Sequence, residues 1–68
     1  SQVFIAVMEL PEKYRVLVHL FYYEDYSVKE ISKILDRKES TIKTQLYRAR
    51  QLLKRKLKGE YDYVQETV

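Results

Sequence analysis

Within six consecutive positions this sequence places Lys43, Thr44, Gln45, Tyr47 and Arg48. Each can make a contact of definite direction. Arg and Lys donate, for example to O6 and N7 of guanine. Gln can donate and accept together, as the adenine edge asks, and Thr offers both a hydroxyl and a methyl. Tyr47 can stack on a thymine methyl or a ribose, or pack on the stem of Arg50. Just upstream stand Lys38, Ser40 and Thr41, the residue types that hold backbone phosphates, where a helix N-terminus also favours anions. The chemistry these side chains do together is recognition of a duplex polyanion, through hydrogen bonds and charge.

The distribution of charge agrees. Net charge over the 68 residues is only +3, but residues 1–36 carry −2, residues 37–58 carry +8 and residues 59–68 carry −3. Glu39 is the only acid between 37 and 58. Basic charge gathered on one segment is the footprint of a polyanion binder, although a solvated basic helix face has the same composition.

For these side chains to act together, a helix must present them on one side. Ile42, Leu46, Ala49, Leu53 and Leu57 recur at helical spacing, which predicts a helix from about Glu39 to Lys58, stopped by Gly59. With that stripe turned inward, Lys43, Thr44, Tyr47, Arg48 and Gln51 face outward, with Gln45 and Arg50 on the flanks. The preceding helix starts at Tyr26-Ser27-Val28-Lys29-Glu30-Ile31. Ser27 and Glu30 have capping-box spacing, and Tyr26 and Ile31 occupy the staple positions. Ile31, Ile34 and Leu35 are its inward residues. Asp36-Arg37-Lys38 makes the break between the two helices, with the stem of Arg37 laid over the core and its head in water.

Two further helices precede this pair. Val3, Phe4, Val7, Met8 and Leu10 suggest a short helix that ends before Pro11. Pro11 suits the first turn of the next, which runs to about Tyr23. That helix has two apolar rows, Tyr14-Leu17-Val18-Phe21 and Val16-Leu20-Tyr23. Together they form a wider band than a surface helix needs, so it is either central to the core or keeps a strip for a partner. The expectation is an all-α domain of four helices over residues 1–58, with a helix-turn-helix at about 27–50. The acidic tail, 59–68, is expected to be partly disordered, or weakly helical and packed back on the body.

Other classes are disfavoured. The chain has no Cys and one His, so it offers no disulfide framework, metal ligand set or nucleophile–base pair; neither a cofactor nor an enzymatic activity is expected. No apolar run approaches the ~20 residues of a membrane span and no signal peptide is visible, which together with the lack of Cys suggests a cytoplasmic location. Beginning at Ser1, the chain reads like one domain of something longer.

Leu10-Pro11-Glu12-Lys13-Tyr14-Arg15, then Ser27-Val28-Lys29-Glu30-Ile31, then Thr41-Ile42-Lys43-Thr44-Gln45-Leu46-Tyr47-Arg48-Ala49-Arg50 resemble conserved region 4 of the bacterial sigma-70 family, above all its extracytoplasmic-function (ECF) group. The three motifs stand in the family's order and spacing over about residues 3–58. The resemblance implies a helix-turn-helix domain of the winged-helix class without a wing, which reads the −35 promoter element in the major groove of double-stranded DNA. It also implies docking on the β flap of the RNA polymerase core through the apolar strip of the first two helices, and an anti-sigma factor as a further partner. By position, the DNA contacts fall on Lys43, Thr44, Gln45, Tyr47 and Arg48, with Lys38, Ser40 and Thr41 nearer the phosphates. Asp36, Arg37 and Lys38 depart from the usual Gly, Ile or Val, and Ser, and Gln45 stands where Arg is common. Two alternatives remain: a LuxR-type or response-regulator effector domain, which would bind as a symmetric dimer, and a module whose basic helix contacts acidic protein surfaces.

Overall fold

The computed structural model describes residues 1–58; the expected stop at Gly59 and the tail 59–68 lie outside the described residues. Four helices follow one another: α1 (Gln2–Met8), α2 (Glu12–Val18, prolonged by a π-helical turn over His19–Tyr23), α3 (Val28–Leu35) and α4 (Glu39–Lys56). The described residues contain no strand, and the all-α expectation holds.

Local chemistry sets the boundaries. Ser1 caps α1 by accepting the Phe4 N–H at 3.2 Å. Pro11 is extended (φ −52°, ψ 146°) and stands immediately before α2 rather than inside its first turn. Arg15 Nη1 donates to the Met8 carbonyl at 3.2 Å, which satisfies one of the free acceptors at the end of α1. Ser27 Oγ accepts from the Glu30 N–H at 3.0 Å, and Glu30 Oε1 accepts from the Ser27 N–H at 2.9 Å. The capping box read from the sequence is therefore present. Asp36 ends α3 in the left-handed region (φ 54°, ψ 54°), a conformation Asp tolerates better than most residues. The N–H groups of Asp36 and Arg37 both donate to the Ser32 carbonyl, and Ser32 Oγ donates to the Arg37 carbonyl. These bonds fix the turn.

The core has two clusters, and α4 serves both. Val7, Leu10, Tyr14, Val18 and Ala49 form one, flanked by Leu52 and Leu53. Leu17, Ile31, Ile42 and Leu46 form the other, flanked by Leu20, Phe21, Val28 and Leu35. Only one row of α3 reaches this core. Ile34, expected inside, is 52% exposed, because Val28, Ile31 and Leu35 already fill the face turned to the neighbouring helices. In α1, Val3, Phe4 and Met8 are about half exposed and only Ala6 and Val7 are buried. Of the two rows in α2, the first is the core row. In the second, Val16 and Tyr23 are exposed and Leu20 is partly buried.

Candidate nucleic-acid interface

The sequence of α4 divides its sides. Ile42, Leu46 and Ala49 are buried, and this row locks the helix against α2 and α3. Fixing one side fixes the other, so Lys43, Thr44, Tyr47 and Arg48 are held out to solvent, with Tyr47 58% exposed. Together with the half-buried Gln45 they form one continuous strip on that side of the helix. Ser40, Thr41, Thr44, Gln45 and Arg48 line a shallow polar depression along it.

Two members of the strip are already engaged. Thr44 Oγ1 donates to the Ser40 carbonyl at 3.0 Å, so its hydroxyl spends its proton inward and turns an acceptor and a methyl outward. Gln45 is half-buried, and its Oε1 accepts from Arg37 Nη1 at 3.0 Å. The head of Arg37, expected in water, is thus bonded to α4 instead. Other flanking residues turn away. Gln51, expected outward, is half-buried. Arg50 Nη1 donates to the Tyr22 hydroxyl at 3.0 Å, which takes its guanidinium across to the end of α2. Lys56 reaches Glu9 at 3.8 Å; this ties the last turn of α4 to the end of α1.

The start of α4 differs from that of α3. Lys38, extended at ψ 145°, precedes the helix and no side chain caps it. The N–H groups of the first turn therefore lack a side-chain acceptor, next to the exposed Ser40 and Thr41. At the start of α3, Glu30 itself supplies the negative charge. Hydrogen bonds from the Ser27 backbone and then its hydroxyl hold the Glu30 carboxyl below the ordinary glutamate range, with a smaller contribution from Lys33.

A second surface lies on α1 and α2. Phe4, Met8, Val16, His19, Leu20 and Tyr23 line most of an apolar groove of about 390 Å³. His19 Nε2 lies 3.3 Å from Glu24 Oε1 at its rim. Sequence periodicity supplied the apolar excess but not its location, since a helical wheel does not say which of two rows the neighbouring helices cover. Among the described residues no cluster of His, Asp or Glu is arranged to hold a metal, and no helix is long and apolar enough to cross a membrane.

Residues 6–53, which include α3, all but the last turn of α4 and the core rows that hold them, match the family described as Sigma-70, region 4. The chain belongs to that family. It is 38% identical over 55 residues to the RNA polymerase sigma factor SigV of Bacillus subtilis, covering 81% of this chain and 33% of SigV. It is 36% identical over 52 residues to the ECF RNA polymerase sigma factor SigW of the same organism, with 76% of this chain and 28% of SigW aligned. With the ECF sigma factor SigM, again from B. subtilis, identity is 44% over 46 residues, 68% of this chain and 28% of SigM. The chain thus spans about a third or less of the length of these curated relatives. No solved structure matches. The chain is a sigma-70 region 4 domain of the ECF type, a DNA-binding module rather than an enzyme.

Proposed function

We propose that this region 4 domain reads a −35 promoter element by laying the N-terminal half of α4 into the major groove. The observation that carries this reading is the division of α4. A buried apolar row on one side leaves Lys43, Thr44, Gln45, Tyr47 and Arg48 along the other, with a single acid, Glu39, across 22 residues. Lys38, Ser40, Thr41 and the uncapped first-turn N–H groups hold phosphates and set the register, while the outward strip meets the base edges. A polymerase core is the natural holder of such a domain, because one helix-turn-helix buries little surface and binds weakly unaided. The apolar groove on α1 and α2 is the surface suited to the β flap, and an anti-sigma factor would compete for the domain. The site of action is then wherever polymerase and chromosome meet, which for a bacterium is the cytoplasm.

Salt titration of the chain on duplex DNA tests the reading. Affinity should fall steeply as salt rises, since neutralised phosphates release counterions. The footprint should be that of a monomer over one major groove. A symmetric dimer footprint would place the chain with dimeric regulators instead, and no binding at low salt would leave only the reading in which the basic helix contacts acidic protein surfaces.

A further inference from the structure

The bond between Arg37 and Gln45 crosses the turn of the helix-turn-helix and ends on the reading face. A guanidinium has donors and no acceptor, so the amide atom that meets Arg37 Nη1 at 3.0 Å must be the oxygen. The Gln45 amide is therefore not free to turn over. Its Oε1 is held toward the α3–α4 turn, and Nε2, with two N–H donors, is the end left for a ligand. Arg37 is itself anchored: its N–H donates to the Ser32 carbonyl at 3.0 Å, and its carbonyl accepts from Ser32 Oγ. Both residues are half-buried, which protects the bond from competition by water.

We propose that Arg37 is a specificity-determining positioning residue: by holding Oε1 of Gln45, it makes Gln45 a fixed donor and excludes cytosine from the base position that Gln45 meets. In the major groove every base but cytosine offers an acceptor, N7 and O6 on guanine, N7 on adenine beside its N6 amino donor, and O4 on thymine, whereas cytosine presents only its N4 amino donor. A free glutamine flips its amide and accepts from that amino group. A clamped one sets donor against donor. The proposal rests on α4 being the groove helix, and deepens that reading by assigning a residue that itself touches no base.

Selection from a randomised duplex pool at low salt, read by sequencing, tests this with the wild-type chain, Arg37→Met, Arg37→Lys and Gln45→Ala. The wild type should show one position depleted of cytosine, and Gln45→Ala should flatten it. Arg37→Met should raise cytosine there about tenfold, the worth of one good base contact, and leave the other positions unchanged. Arg37→Lys, which keeps a donor, should restore part of the bias. A motif identical in Arg37→Met and wild type overturns the role of Arg37 alone. So does an even loss of affinity at every position, which would make Arg37 a phosphate contact. A wild-type chain that selects no motif overturns the promoter reading and this role with it. A DNA-free measurement separates the two: Arg37→Met should shift the Gln45 side-chain amide signals in nitrogen–proton NMR spectra with the α4 backbone signals in place, and unmoved side-chain signals overturn the clamp itself.

Discussion

The α1–α2 groove and the outer face of α4 are both solvent-facing sides of amphipathic helices, yet they were left exposed for opposite reasons. On α4 the exposed residues are polar or basic, and water is an adequate partner for them. Around the groove, Phe4, Met8 and Tyr23 are each about half exposed, and water is a poor partner for such surface. The domain thus has one face that is content alone and one that is not. Charge can find its ligand at long range and through solvent, whereas apolar surface gains only on contact.

The largest effect should come from abolishing both faces together. Ile42 and Leu46 sit in the core beneath them, so Ile42→Ala or Leu46→Ala should lower stability by about 2–5 kcal/mol, read by chemical denaturation. In a domain this small that should unfold it or nearly so. Arg48→Ala and Lys43→Ala should separate the faces. Each should weaken DNA binding by roughly 1–3 kcal/mol with the melting temperature and polymerase association unchanged; unchanged binding in both would show that the groove face is wrongly assigned. The mirror experiment is Phe4→Ser with Tyr23→Ser. DNA affinity should hold and stability should move by no more than about 0.5 kcal/mol per substitution, as usual at exposed sites, while binding to isolated polymerase core is lost.

Smaller effects sharpen the contrast between the two helix starts. Ser27→Ala should cost about 1 kcal/mol, measured by thermal melting, because it removes a working cap. Truncation of Lys38 removes no cap and should instead weaken DNA binding evenly across sequences. Smallest is a pH effect. The folded pKa of Glu30 is lowered by its bonds to Ser27, so its contribution to stability is present above the ordinary glutamate range and lost as pH falls through the folded value. Wild type and Glu30→Gln should therefore differ in melting temperature near neutrality and converge on acidification.

The start of α3 was legible in the sequence because a capping box is local: Ser27 and Glu30 carry the whole signal within four residues. The inward row of α4 was legible because Ile42, Leu46 and Ala49 repeat at one spacing beside polar neighbours. Ile34 was misread because a lone apolar residue beside two others has no local mark of its side; only the position of α4 decides. The bond from Arg37 to Gln45 was hidden for a related reason. It joins residues eight apart across a turn whose geometry depends on Asp36 being left-handed. The outward placement of Val16 and Tyr23 required knowing which row α4 would cover.

The π-helical turn at His19–Tyr23 has a consequence of its own. Its widened loop, closed by the Glu24 N–H on the His19 carbonyl at 3.0 Å, behaves like one residue spliced into an ordinary helix. One residue more or fewer here would turn the point where the chain leaves the helix by about 100°, the angular step of a single residue. The helix-turn-helix is thus indexed to the first two helices like a gear advanced by one tooth. Deleting a single residue there would restore a regular helix and point the chain into α3 along the wrong heading. A length change of one at this point should therefore be worse tolerated than most substitutions at the same positions.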